Sequence, residues 1–149
     1  MKKLLVFVAL VAVFVCSAGF CFAAAVADVD QAYVKANVGQ PGKVLVDVRS
    51  AEIFNGKSPR AGIPGGHIPG AVNFPLADLE KPEADKTLAA AGITKDVEII
   101  AYCNTGKQSG KFIDALISKF GYSSDKIKNY KGSMTDWSKD SANPIESAK

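Results

Sequence analysis

The residues best placed to do chemistry stand together in one stretch, Val97 to Ser109 (VEIIAYCNTGKQS). Its first half is a short run of β-branched and aromatic residues after Lys95-Asp96, which predicts a strand. From about Lys107 to Phe120 the apolar residues Phe112, Ile113, Leu116, Ile117 and Phe120 recur at helical spacing. Between the two lies a tight loop with Cys103 at its mouth. A strand that stops in a short loop and turns straight into a helix directs backbone N–H groups and the positive end of the helix dipole at one spot. A sulfur held there is favoured as a thiolate, and the thiolate is the nucleophile. The plain alternative is a buried cysteine capping a core strand; the loop chemistry favours the reactive reading.

The elements that must position this loop follow from the rest of the chain. Asp28 to Asn37 reads as a short helix with Asp28 or Asp30 as its N-cap. Gly39-Gln40-Pro41-Gly42 is a turn, and Lys43 to Val48 is apolar enough for a buried parallel strand, ending in Asp47-Val48-Arg49. Ser50 caps a brief helix over Ala51 to Phe54, and the Gly- and Pro-rich Asn55 to Gly66 is an irregular loop. His67 to Phe74 leads into a short strand that Pro75 ends. Glu83 to Ala91 is a helix stopped by Gly92. After the central strand and helix come a strand over Lys126 to Tyr130, a turn at Lys131-Gly132-Ser133, a helical turn from Met134 to Lys139, and a polar, loose tail from Ser141 to Lys149. Strands alternating with helices, without hairpin signals, predict an α/β domain with a mainly parallel sheet. Reactive groups in such sheets gather at the carboxyl ends of the strands, where Asp47, Arg49 and Cys103 all lie.

The 149 residues have room for one domain, with residues 26–149 forming it once the N-terminus is set aside. Met1-Lys2-Lys3, an apolar run from Leu4 to Cys16 and small residues at Ala23 to Ala27 have the form of a secretory signal peptide over residues 1–25, which implies export to the periplasm or beyond. An uncleaved anchor is the alternative, since the 24 residues from Leu4 to Ala27 carry no charge; only then would the protein meet a membrane. Cys16 and Cys21 follow the bulky Val15 and Phe20, which argues against lipid attachment. Setting Lys2 and Lys3 aside leaves 16 basic residues against 15 acidic ones, a net charge of +1. No basic block supports nucleic-acid binding. Without the leader Cys103 is the only cysteine, so no internal disulfide forms and the core alone must hold the fold.

Four pieces, taken together, carry a resemblance. Asp47-Val48-Arg49, Gly66-His67-Ile68-Pro69-Gly70-Ala71-Val72-Asn73, Tyr102 to Ser109, and Lys131-Gly132-Ser133-Met134-Thr135-Asp136-Trp137 resemble the successive signatures of a single-domain rhodanese, in that family's order. The resemblance implies a three-layer α/β domain, a five-stranded parallel sheet with helices on both faces. It implies a sulfurtransferase whose catalytic residue is Cys103 and whose substrate-binding loop is Asn104, Thr105, Gly106, Lys107, Gln108 and Ser109, with Asp47 and Arg49 bracing the site. The expected chemistry is attack of the Cys103 thiolate on the outer sulfur of a small anionic donor such as thiosulfate, then delivery of the persulfide sulfur to cyanide or a thiol. It needs no metal or organic cofactor, and a monomer suffices.

Other residues have plainer readings. Lys107 either grips a sulfonate-like donor or is an ordinary solvated lysine. His67, the only histidine, sits before a turn in the matching motif and serves packing and hydrogen bonding. Tyr130 and Trp137 read as core residues near the pocket rim, and nothing in the sequence fixes Arg60. Two features depart from the family pattern: Gln108 stands where many active rhodaneses carry arginine, and the stretch between Phe54 and Gly66 is longer than usual. Rival readings are a phosphatase or arsenate reductase of the related fold, whose loop is one residue longer than the six from Cys103 to Gln108, and a persulfide carrier without useful turnover.

Overall fold

Five parallel strands in the order β1-β5-β4-β2-β3 form the sheet of a computed structural model, which describes residues 25–147. The expected leader lies, but for Ala25, outside the described residues. The strands are β1 (Ala27–Val29), β2 (Lys43–Asp47), β3 (Val72–Asn73), β4 (Glu98–Tyr102) and β5 (Ile127–Tyr130). The helices are α1 (Gln31–Asn37), α2 (Ala51–Phe54), α3 (Ala84–Ala90), α4 (Lys107–Phe120) and α5 (Ser133–Trp137), with short 3-10 turns at Leu76–Glu80 and Ser124–Lys126. The expected five-stranded parallel α/β architecture is the one observed.

Side chains alternate across a strand, and the alternation splits the core in two. Ile99, Ala101 and Cys103 join Val46, Val48, Phe112, Ile113, Leu116 and Ile127 on the α4 side. Ile100 and Tyr102 join Leu45, Val34, Ile68, Tyr130, Met134 and Trp137 on the other. Burial on both faces is why β4 reads as a nearly unbroken apolar run. Helix α4 is framed by glycines in the left-handed region, Gly106 (φ 81°) and Gly121 (φ 68°), and Gly121 N–H returns to Leu116 C=O. Among the described residues no helix is long and apolar enough to cross a membrane.

Two expectations need correction. The helix read from Asp28 is in fact strand followed by helix: Ala27–Val29 pairs in parallel with Lys128–Tyr130, and Asp30 alone is the N-cap, accepting from Tyr33 N–H at 2.9 Å. A three-residue edge strand beside two good capping aspartates has no periodicity to reveal it. The tail is not loose through residue 147. Asn143 Nδ2 donates to Trp137 C=O (2.7 Å), Trp137 Nε1 donates to Pro144 C=O (3.0 Å), and His67 and Glu146 exchange backbone hydrogen bonds of 2.7 and 2.9 Å. Trp137 holds the tail from only six and seven residues away, but through hydrogen bonds with no periodicity to reveal them, and His67 lies far off in sequence beside an irregular loop.

Candidate active site

Cys103 follows β4 directly, and its backbone is fixed from the β5–α5 turn. Its N–H donates to Ser133 Oγ at 3.1 Å and its C=O accepts from Met134 N–H at 3.1 Å. One residue on, Asn104 C=O accepts from Thr135 N–H (3.0 Å) and Thr135 Oγ1 (2.7 Å). The loop then turns through Gly106, where a Cβ would stand 2.5 Å from Lys131 O, so a positive φ and a close approach both demand glycine. The result is a tight turn that feeds α4 from the mouth of β4.

The sulfur lies inside this turn and is almost wholly buried. Burial opposes a thiolate, but the hydrogen bonds that the backbone N–H groups of Ser109, Thr105 and Gln108 and the Ser109 hydroxyl can offer the anion outweigh it, holding the thiol below its ordinary pKa. Ser109 is fully buried in the first turn of α4; its Oγ is 3.8 Å from Cys103 Sγ, 3.0 Å from Gly106 O and 2.7 Å from Asn129 Oδ1. Thr105, Lys107 and Gln108 are exposed on the outer side of the turn. Gln108 borders a cavity of about 300 Å³ lined also by Val48, Ser50, Pro75, Leu76 and Ala77, none of them charged.

Asp47 and Arg49 form a second support. Arg49 Nε reaches both Asp47 carboxylate oxygens at 2.9 and 3.1 Å, and Nη2 reaches Oδ2 at 2.5 Å. Both residues are almost completely buried. Burial works against the guanidinium, yet its bonds to Asp47 prevail and raise its pKa further. The remaining donors tie two loops together: Nη2 to Gly66 C=O at 2.6 Å and Nη1 to Asn104 Oδ1 at 3.3 Å. Arg49 therefore reaches the cysteine loop through Asn104.

His67 stacks on Phe54 with ring centroids 3.7 Å apart, and its Nδ1 lies 3.0 Å from Phe54 O. That is the packing and hydrogen-bonding place expected of it. The long loop is compact: Ile63 is buried, Ser58 Oγ bonds Arg60 C=O and Ile63 C=O, and Arg60 faces outward. Tyr130 and Trp137 are core residues. Sequence reasoning missed the anchoring by Ser133 and Thr135 and the contact from Asn129. The KGSMT run marks a turn in sequence but not which strand end it would clasp.

The profile of the Rhodanese-like domain matches residues 30–140. The chain belongs to this family. Among curated rhodanese-like relatives, a thiosulfate sulfurtransferase of Azotobacter vinelandii is 33% identical over 123 residues, covering 76% of this chain and 44% of that protein. The sulfur carrier protein TtuD of Thermus thermophilus is 37% identical over 110 residues, 62% of this chain and 37% of its own. A 3-mercaptopyruvate sulfurtransferase of Escherichia coli is 30% identical over 114 residues, 70% and 40% of the two chains. The chain thus spans less than half the length of these relatives. Among solved structures, EanB with ergothioneine covalently linked with a cysteine persulfide has a TM-score of 0.73 at 25% identity, over 81% of this chain and 28% of that one.

Proposed function

We propose that this rhodanese-like protein is a sulfurtransferase that moves a sulfane sulfur from a donor such as thiosulfate or a polysulfide to a thiophilic acceptor through a persulfide on Cys103. The observation that carries this reading is the place of Cys103, buried between the end of β4 and the start of α4 with Ser109 Oγ 3.8 Å from its sulfur and its thiol held below the ordinary pKa. Cys103 gives its proton to solvent, and the thiolate attacks the terminal sulfur of the donor. The bond between that sulfur and the rest of the donor breaks, and its electron pair leaves with sulfite or a shortened polysulfide. The persulfide is an anion, so fixed amides that favour the thiolate favour it too. Cyanide or a thiolate then takes the outer sulfur, the S–S pair of electrons returns to Cys103, and the thiolate is restored.

The cavity beside Gln108 has no cationic side chain in its lining, so a sulfonate finds no ion-pair partner there, which supports thiosulfate as a poor donor. Residues 1–25 support export as a cleaved leader, and residues 26–149 the working domain, acting as a monomer. A relative that is itself named a sulfur carrier supports a second reading, in which Cys103 stores sulfur and hands it to a protein partner. Intact mass after incubation with thiosulfate or polysulfide, followed by cyanide and an assay for thiocyanate, separates these readings, with Cys103→Ser as the control. The enzyme gains about 32 Da and turns over. A stable adduct without turnover selects the carrier, and no adduct from either donor refutes both.

A further inference from the structure

Ser109 is fully buried and has one hydroxyl proton but three acceptors in range: Asn129 Oδ1 at 2.7 Å, Gly106 O at 3.0 Å and Cys103 Sγ at 3.8 Å. A hydroxyl donates one hydrogen bond at a time, and the shortest contact is to Asn129. The sheet explains why Asn129 is there. Alternation along β5 puts Asn129 on the face of Ile127, the α4 side, and the first turn of α4 carries Ser109 over it. On the neighbouring edge strand the register partner of Asn129 is Asp28.

Asp28 fixes which way the Asn129 amide points. Asn129 Nδ2 donates to Asp28 Oδ1 at 3.1 Å, and Lys131 Nζ lies 2.7 Å from Asp28 Oδ2. A carboxylate only accepts. It therefore holds the amide nitrogen toward itself and leaves the amide oxygen facing Ser109. The Lys131 hydrogen bond keeps the exposed Asp28 carboxyl below its ordinary pKa, so it stays ionised wherever a thiol titrates.

We propose that Asp28 and Asn129 are positioning residues that compete with the Cys103 sulfur for the Ser109 hydroxyl proton and so set how readily the sulfur becomes and stays anionic. The proposal rests on Cys103 as the nucleophile and adds a control outside the cysteine loop. While Cys103 is a thiol, Ser109 donates to Asn129. When the thiolate or persulfide forms, the hydroxyl turns to the sulfur and the Asn129 oxygen loses its donor. A hydrogen bond to the charged form lowers a pKa; an acceptor that draws that bond away raises it. The other charged groups around the loop are the Arg49–Asp47 pair, which reaches it through Asn104, and Lys107 on the exposed side of α4. Substitution at Asn129 or Ser109 removes neither.

The test is a double-mutant cycle on the full chain, reading the ultraviolet absorbance of the thiolate against pH as a difference from Cys103→Ser. Asn129→Val frees the hydroxyl for the sulfur, and the midpoint falls by about 0.5–1 pH unit, which is three- to tenfold more thiolate below the midpoint. Ser109→Ala raises the midpoint. In the double variant the gain from Asn129→Val disappears, because it has no hydroxyl to act through. Asp28→Asn, which lets the amide turn over, moves the midpoint down by less and serves if Asn129→Val does not fold. A downward shift that persists in the Ser109→Ala background overturns the proposal, as does no shift in either Asn129→Val or Asp28→Asn. The titration uses no sulfur donor, so it succeeds or fails separately from the sulfur-transfer reading.

Discussion

The cysteine loop is held from two sides by opposite kinds of physics. On the β2 side the support is a buried pair of full charges, Arg49 and Asp47, which spend most of their hydrogen bonds on each other and on Gly66. On the β5 side it is neutral: Ser133 Oγ, Met134 N–H and Thr135 N–H meet the backbone of Cys103 and Asn104. The sulfur in between faces amides. A guanidinium engaged with a carboxylate is a poor partner for a transient anion but a rigid strut. Partial charges of amides, locked into a helix start and a turn, stabilise the sulfur anion without having to reorganise. The fold therefore places charge where rigidity is needed and dipoles where charge comes and goes.

Breaking the charged side costs the most. Arg49→Ala leaves Asp47 buried without a partner, and about 3–5 kcal/mol of stability is lost. Arg49→Lys recovers little of it, because an ammonium cannot reach both carboxylate oxygens, Gly66 O and Asn104 Oδ1 at once. Denaturant midpoints of the two variants check this, and an Arg49→Lys protein as stable as the unaltered one contradicts it. Next comes the neutral side. Gly106→Ala puts a methyl 2.5 Å from Lys131 O at a positive φ, a strain of about 2–4 kcal/mol. Its larger effect is on chemistry: a loop displaced by about 1 Å slows sulfur uptake roughly 100-fold. Arg49→Ala and Gly106→Ala thus separate a stability defect from a geometry defect, provided both are assayed well below their unfolding midpoints.

A cation can also be added on the cavity side of the loop, where Gln108 is uncharged. Gln108→Arg brings a fork of donors to the rim of the cavity lined by Val48, Pro75 and Leu76. With thiosulfate, kcat/KM rises about tenfold or more, the effect of one charge-assisted contact; with an uncharged organic polysulfide it changes little. Equal gains for both donors would show a general electrostatic effect in place of sulfonate recognition.

How much of this was written in the sequence depends on the range of each interaction. β2, β4, β5 and α4 carry their own periodicity and caps, and the expected strands over Lys43 to Val48 and Lys126 to Tyr130 agree with β2 and β5 to within one residue. The loop from Cys103 to Ser109 was legible because a strand end and a helix start fix it locally. Asp47 and Arg49 were legible as a brace only through the family resemblance, since two residues that close in sequence say nothing of Gly66 or Asn104. Asp28, Asn129 and Ser133 were not legible as parts of the site. Each acts across a register or a turn that exists only once the sheet has formed, and the three-residue strand that carries Asp28 was read as a helix start.

The finest test of the neutral side is at Ser133, the one non-glycine residue with a positive φ (52°) among the described residues. Its hydroxyl does two things: it accepts from Cys103 N–H and donates to Tyr130 C=O at 2.8 Å. Ser133→Gly and Ser133→Ala remove the hydroxyl equally and leave the buried Cys103 N–H without its partner. Only glycine relieves the left-handed backbone, which costs an L-residue about 1–2 kcal/mol. Ser133→Ala should therefore be the less stable of the two by about 1 kcal/mol. If the backbone merely relaxes out of the left-handed region once the hydroxyl is gone, the two variants unfold alike. That outcome would mean the hydroxyl holds the turn in its strained form, and the strain is there because the cysteine loop must be clasped.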